Sequence, residues 1–561
     1  MKYLPRLAPS CANAFSVCAS ALLLSLGIAT AHAQTTWAPT ATQAITPAGA
    51  VATGPIASST PIHVVVALKL QNSAALNALI KSESTPGDPL YQTELTPQQF
   101  TAQFGPSAAQ VQAVSSYLTS QGFSNLQTED NNLFISADGT AGDVAAAFNT
   151  SLTQYTLNGA TVFANSAAAQ VPSSLSGIVL SVLGLNNLVG MRTGVKTAIS
   201  QPALKFEYGP KDFQKAYDAG TTPTGSNTSI AIFAEGDLTT VLTDLRLFEK
   251  QFNLAQVPVT VVPTGIASTD VAGVGEWDLD SQSSTGIAGG VKHLYFYDAT
   301  SLSDADLAIA FNRFVTQKVA KVGNASFGEC DVFPYLSGAM FADDQVFAQA
   351  AVQGQTIFSS TGDTGASCPV QGTNGVPDSG LPMTSYPASS PYVVAVGGTT
   401  LFVDSTGAYD TEVSWNAGGG GLSALENSTF WQQGVVPGGN VGKGLPDVAM
   451  DADPNTGATV IMNGAATVIG GTSLSSPLSM GVWARLETAH RNKLGFAAPI
   501  LYKLGTGTSL TAQSTTNPVP SVVGFNDVTV GTNGAYVATP GWDFTTGLGT
   551  FDIAKINALI K

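Results

Sequence analysis

Two patterns of apolar positions divide this chain. Between residues 61 and 185, short apolar runs alternate with stretches of helical period. "IHVVVALKL" (62–70) and "NLFISADGT" (132–140) read as strands. "SAALNALIKS" (73–82), "SAAQVQAVSSYLTSQG" (107–122) and "AGDVAAAFNT" (141–150) read as helices. The pattern predicts a mixed α+β domain, and no nucleophile–base arrangement stands out in it. From about residue 206 to 561 the apolar runs are continuous and bounded by turns: "SIAIFAE", "VPVTVVPT", "HLYFYDA", "VAKVGNASFG", "TIFSSTGD" and "YVVAVGGT", with helical stretches between them. Such runs suit strands covered on both faces, which predicts an α/β domain with a doubly wound parallel sheet. Ligands of these sheets bind beyond the carboxyl ends of the strands, so the residues that follow the runs are the ones to watch.

The flanking segments lack either period. Residues 34–60 are rich in Ala, Thr and Pro and read as a linker. Residues 186–205, "NNLVGMRTGVKTAISQPALK", read as an exposed connector between the two domains. Residues 1–33 have a basic start at Lys2 and Arg6, an apolar "ALLLSLGIA" and a small-x-small "AHA", the pattern of a secretory signal. The apolar stretch is too short for a comfortable membrane span, so an exported, soluble protein is expected.

Composition sharpens this reading. The chain has 561 residues, only 11 % of them charged, with a formal net charge of −16. From residue 200 onward there are 16 Lys and Arg against 31 Asp and Glu, so almost all the acidity belongs to the second domain. Such a surface excludes nucleic acid as a partner. Few charges together with many Gly, Ser and Thr suit a secreted protein working in acid. Beyond the signal sequence the only cysteines are Cys330 and Cys368. In an oxidising compartment an even pair points to a disulfide, stabilising by about 4 kcal/mol on the chain-entropy account.

Candidate chemistry centres on "GGTSLSSP" (470–477), a glycine-flanked turn presenting a threonine and serines. A serine nucleophile needs an adjacent base. His63, His293 and His490 have no strand-end or Gly-rich setting and read as ordinary surface or core residues. Carboxylates are better placed. "GEWDLDSQ" (275–282) carries Glu276 and Asp280 four apart, on one face if helical, while Asp278 points elsewhere. "SSTGDTGAS" (359–367) puts Asp363 in a Gly-bracketed turn after a buried strand, either as a helix cap or as a carboxyl facing a cleft.

Together these motifs, in this order, resemble the sedolisin family, the serine-carboxyl peptidases. The resemblance spans about residues 61 to 561, with "LPDVAMDADPNTG" and "YPASSPYVVAVGGT" as framework segments and "LTPQQFTAQFGPS" within an activation prodomain. It implies a subtilisin-like catalytic domain (206–561) behind an α+β, ferredoxin-like prodomain (61–185) and a cleavable connector (186–205). It assigns Ser473 as nucleophile, Glu276 as general base, Asp280 as the partner orienting it, and Asp363 as a protonated donor to the oxyanion. "SFG", Ser326-Phe327-Gly328, stands where relatives often have "SWG", as a substrate-binding strand. Phe327 has no indole N–H, which puts in doubt a hydrogen-bond chain from Asp280 toward Glu235. Cys330 and Cys368 follow this strand and Asp363, where a bond would tie two rims of the cleft.

The resemblance also implies one Ca²⁺ in "FNDVTVGTNGAYVATPGWDFTTGLG", held by the carboxylates of Asp527 and Asp543 and the carbonyls of Val528, Thr539 and Gly541. The bare sequence allows a solvated loop there. A glutamate base and a protonated aspartate both demand acid. The expected protein is therefore a secreted, monomeric, acid-active endopeptidase acting on proteins and peptides, made as a zymogen inhibited by its own prodomain. Its rivals are an ordinary subtilisin-like enzyme, which lacks its histidine here, a lipase-type hydrolase, whose G-x-S-x-G is absent, and an inactive binding protein on a peptidase fold.

Overall fold

The computed structural model describes residues 36–45, 49–188, 190–197, 207–368, 382–437, 441–507 and 522–561. The signal sequence read over 1–33 and residues 198–205 of the connector lie outside these. Trp37–Lys561 form one compact body.

The continuous apolar runs become parallel strands of a ten-stranded sheet. They are β1 (Ser229–Glu235), β2 (Val259–Pro263), β3 (His293–Ala299), β4 (Val322–Ala325), β5 (Thr356–Ser360), β6 (Val394–Val403) and β7 (Val448–Asp451). Across the sheet they run β2-β3-β1-β4-β5-β6-β7, each neighbouring pair parallel. β4 and β5 are buried at every position, which is why their sequences show no polar alternation. The helices α1 (Val274–Ala288), α2 (Asp304–Gln317), α3 (Ala339–Val352) and α4 (Thr472–Ala489) fill the crossovers. α1 packs along α4, and α4 runs against β4, β5, β6 and β7. The domain is the doubly wound α/β fold that the pattern predicts, and among the described residues no helix is long and apolar enough to cross a membrane.

The N-terminal domain is an antiparallel sheet in the order Ser124–Thr128, Phe134–Thr140, Pro61–Leu68, Val179–Leu183, with the expected helices at Ser73–Ser84, Ala108–Ser120 and Ala141–Phe148. The last two start at capping boxes, Ser107 with Gln110 and Thr140 with Asp143, which supply the first-turn N–H groups with acceptors. Residues 34–60 are more than a linker. Trp37–Pro39 pairs with Gln170–Pro172, and Val51–Pro55 pairs with Leu152–Leu157. Edge strands tolerate Pro and Gly, so the composition hid them.

The two domains share one buried apolar cluster, in which Phe100, Phe104 and Phe134 of the first join Phe311 and Phe347 of α2 and α3. Buried Asn131 donates to Asn312 Oδ1 at 2.6 Å and to Gln349 Oε1 at 2.8 Å. Around them Glu94 meets Lys321 and Lys318, and Glu129 meets Arg313.

Candidate active site

Three strand ends converge on one cleft. α4 starts at Thr472, directly after Gly471, whose φ of 116° favours glycine. A Cβ there would lie 2.6 Å from Asp363 Oδ2 and 2.8 Å from Gly194 O, so nothing larger fits. Ser473 is the second residue of this helix and is fully buried. Pro477, four residues on, has no N–H for the Ser473 carbonyl, and Ser326 Oγ approaches that carbonyl at 3.3 Å instead. The Ser473 hydroxyl donates to Ser326 O at 3.3 Å.

Glu276 and Asp280 lie on α1 as the spacing predicts, both buried. Burial, followed by the nearby Asp280 charge, holds the Glu276 carboxyl well above the usual carboxylate range, and the Ser473 hydroxyl and the Val195 N–H pull it back. Asp280 is raised by burial too, with Ser326 and Asn324 opposing. Its Oδ1 accepts from Ser326 Oγ at 2.6 Å, and Asn324 Nδ2 donates to that Oγ at 2.9 Å. Glu276 Oε1 and Asp280 Oδ2 are buried with no hydrogen-bond partner. Asp278 faces away from the cleft, toward Asp244 and Gln282, and is pushed up to about 9 by burial first and Asp244 second.

Asp363 stands in the turn that follows β5, three residues after Ser360. Its Oδ1 accepts from both the Thr472 N–H and the Thr472 hydroxyl at 2.8 Å. Its Oδ2 is buried without a partner. Burial pushes the group up to about 6, against the Thr472 bonds and the charge of Lys196. The cap-or-cleft alternative therefore resolves into both: one oxygen anchors the start of α4 and the other is left over beside Ser473.

Among the described residues the connector keeps the expected exposure at Asn187, Arg192, Lys196 and Thr197, but it is held in two ladders. Arg192–Thr193 pairs antiparallel with the 327–328 stretch, and Lys196–Thr197 pairs antiparallel with 469–470. Between the two ladders the Val195 N–H donates to Glu276 Oε2 at 3.1 Å. A Cβ on Gly194 would sit 3.1 Å from Ser473 Oγ and 3.2 Å from Asp363 Oδ2. Extended backbone fixed only by short ladders has no apolar period, which is why this stretch reads as unstructured.

Two features escaped the sequence. Glu329 follows the Ser326-Phe327-Gly328 segment, is 8 % exposed, and has both carboxylate oxygens unbonded. With Arg192 and Lys196 it lines the cleft cavity. Trp277, next to Glu276, sends its indole N–H to the Glu235 carbonyl at 2.9 Å, with its ring edge-on to Phe327. Among the described residues no hydrogen bond links Asp280 to the Glu235 side chain, which burial and Asp270 raise to about 7. The Cys330–Cys368 disulfide is formed, with a Cα separation of 5.4 Å, and both cysteines line the cleft cavity.

In the C-terminal loop, Asp527 Oδ2 accepts from the Gly541 N–H and Asp543 Oδ2 from the Thr539 N–H. Asp527 Oδ1 is buried without a partner, and Asp527 is raised by burial with the Asp543 charge adding to it. The carbonyls of Val528, Thr539 and Gly541 accept no hydrogen bond among the described residues. Both Asp543 oxygens already accept N–H bonds, so the spare carboxylate oxygen of Asp527 and those three carbonyls are what fit a hard cation. His63 pairs with Asp138, His293 with Thr260 and His490 with Asn557, all away from the cleft.

Comparison with known proteins agrees with this geometry. Residues 48–188 match the Pro-kumamolisin activation domain, and residues 265–514 match the subtilase family. Sedolisin of Pseudomonas sp. (strain 101) is 41 % identical across 98 % of this chain and 97 % of its own. Xanthomonalisin of Xanthomonas sp. (strain T-22) is 38 % identical across 89 % of this chain and 65 % of its own. A solved structure of Pseudomonas sedolisin, a serine-carboxyl proteinase complexed with pseudo-iodotyrostatin, superposes with a TM-score of 0.58 at 40 % identity, covering 64 % of this chain and 98 % of that one. Identity of 41 % over nearly the whole of both chains, with an activation domain ahead of a subtilase-family domain, places the chain in the sedolisin family of serine-carboxyl peptidases.

Proposed function

We propose that this protein is an exported zymogen whose catalytic domain is an acid-active endopeptidase. The observation that carries the reading is Asp363. One of its oxygens is fixed by Thr472 while the other, buried and unbonded, faces the approach to Ser473. A carboxyl raised to about 6 in that position carries its proton in acid and donates it as a hydrogen bond to the developing oxyanion.

The other roles follow from position. Ser473 Oγ attacks the carbonyl carbon, and its proton passes to Glu276. One proton shared between Glu276 and Asp280 leaves the buried pair a single charge, with Ser326 and Asn324 orienting Asp280. Glu276 then returns the proton to the leaving nitrogen. Water repeats the sequence on the acyl ester. The strand Ser326-Phe327-Gly328 offers its backbone as a partner to extended substrate, a use supported by its pairing with the connector.

The signal pattern and the disulfide, which persists in oxidising compartments, support export. The residues at Asp527 and Asp543 would hold one Ca²⁺, which would brace the C-terminal loop and take no part in the chemistry.

Casein digestion by the purified, acid-treated protein across pH 3 to 8 tests the reading. Activity is expected below about pH 6, where Asp363 holds its proton, and is expected to vanish in Ser473→Ala. Robust proteolysis at pH 8 would overturn the mechanism.

A further inference from the structure

We propose that the Gly194–Val195 peptide bond is the one this chain cuts first, and that each molecule cuts its own. The inference rests on the roles of Ser473, Glu276 and Asp363 given above and adds the bond itself.

Register singles out the position. Arg192 stands opposite Gly328 and Thr193 opposite Phe327, so the next residue, Gly194, falls opposite Ser326. From the other side, Lys196 stands opposite Gly470 and Thr197 opposite Ile469, so Val195 falls opposite Gly471. The bond between Gly194 and Val195 is where the connector leaves one ladder and has not yet joined the next. Its neighbours, Thr193–Gly194 and Val195–Lys196, each have one end held in a ladder away from the nucleophile.

The reacting groups surround that bond. The Gly194 α-carbon presents its side-chain direction to Ser473 Oγ, 3.1 Å from where a Cβ would be. Gly194 O and Asp363 Oδ2 crowd the same open side of Gly471, at 2.8 and 2.6 Å from one point. The carbonyl oxygen and the unbonded oxygen of the oxyanion donor thus border the same small space above Gly471. The Val195 nitrogen, which would leave, is 3.1 Å from Glu276 Oε2, the group that must protonate it. Two flanking cations fit the same arrangement. Arg192 lowers the raised carboxyl of Glu329, and Lys196 lowers that of Asp363.

In the step, Ser473 Oγ bonds to the Gly194 carbonyl carbon and its proton moves to Glu276. The carbon–nitrogen bond breaks, and that proton completes the Val195 amine. One water then hydrolyses the Gly194 ester, leaving a carboxyl on Gly194 and regenerating Ser473. The net change is one peptide bond and one water converted to an acid and an amine.

The test is intact-mass spectrometry of the full-length secreted chain, purified near neutral pH and shifted to pH 4 at several protein concentrations. The earliest fragments are expected to end at Gly194 and begin at Val195, with a rate constant unchanged on dilution. Val195→Ala keeps the N–H and should be cut at the same bond at a similar rate. Val195→Pro has no N–H to offer Glu276 and should slow that cut by roughly 10²-fold. First fragments ending elsewhere, with Ser473→Ala left whole, would overturn the bond assignment while leaving the peptidase reading intact. Processing of Ser473→Ala at the wild-type rate would overturn that reading instead. A rate that rises with concentration would overturn cutting within one molecule.

Discussion

The two domains use carboxyl groups in opposite ways. In the prodomain they meet N–H donors and basic side chains: Asp143 caps a helix, Asp138 meets His63, and Glu94 and Glu129 reach across to lysines and an arginine. Glu83, pushed up to about 8 by burial, is the exception. In the catalytic domain, beside ion pairs such as Lys443 with Asp447, several are buried among their own kind. Glu276 sits with Asp280, Asp278 with Asp244, Glu329 with Asp304, and Asp344 with Glu426. A buried carboxyl pair is tolerable only when a proton neutralises part of it. Protons are thus structural components of one domain and competitors in the other, so one drop in pH favours the first and loosens its grip on the second.

The largest test of that contrast is at Asp363. Asp363→Ala removes a donor to the oxyanion and should cost about 10²–10³ in turnover at every pH. Asp363→Asn keeps a donor that never ionises. It should retain much of the activity and carry it above about pH 6, where wild type fails. Measuring kcat/KM on a peptide from pH 3 to 8 distinguishes the two. An unchanged upper limb in Asp363→Asn would mean that some other group sets it.

Stability should follow the same proton logic. A carboxyl whose folded pKa is raised binds its proton more tightly folded than unfolded. Its contribution is complete below the unfolded range, near ~4, and is lost as pH rises through the folded value. For Asp344 that value is about 6, for Glu412 and Glu487 about 7, and for Asp278 about 9. Ser473→Ala protein, which cannot digest itself, should melt highest near pH 4 and lose several kcal/mol in total between pH 5 and 9. Asp278→Asn should recover about 1–3 kcal/mol of that loss at the alkaline end. A flat profile over this range would break the comparison between the domains.

How much of this was readable beforehand depends on what each residue relies on. The strand Ser229–Glu235 and the strand His293–Ala299 match their apolar runs residue for residue, because burial on both faces leaves an unbroken signal. Glu276 and Asp280 were legible because a helix converts a spacing of four into one face. Glu329 was not, because a lone acid in a four-residue strand has no spacing to betray its burial. The connector was not, because its position comes from ladders to residues 327–328 and 469–470, far along the chain. The strands at Trp37–Pro39 and Val51–Pro55 were hidden by Pro and Gly, which edge strands allow.

The calcium loop marks a boundary to the contrast, since it is a place in the catalytic domain where ionised carboxylates are needed. Asp527 and Asp543 must lose their protons to bind a cation, yet burial raises both. Calcium should therefore stabilise at pH 6 to 7, by about 2.7 kcal/mol at a hundredfold excess over Kd, and progressively less as protons compete below pH 5. Melting with and without EGTA reads this directly. Asp543→Ala should abolish the difference, and an unaffected wild type would return the stretch to a solvated loop.

The smallest effect belongs to the interface, and it separates cutting from release. Glu94 lies 2.5 Å from Lys321 and 3.3 Å from Lys318, and Glu129 lies 3.1 Å from Arg313. These pairs are partly exposed, so each is worth at most about 1 kcal/mol. Substituting both glutamates removes the attraction but leaves the apolar contact of Phe100, Phe104 and Phe134 in place. Prodomain release should then be the slower event, following a cut that the connector has already suffered in the cleft. Glu94→Gln with Glu129→Gln should leave the rate of the first cut unchanged and shorten the lag before peptide hydrolysis by roughly three- to tenfold, the equivalent of about 1 kcal/mol. Added salt, which screens such pairs, should shorten the wild-type lag in the same direction. Equal lags in wild type and double variant at pH 5 would show that the glutamates do not hold the prodomain, and that its apolar face alone sets the time of release.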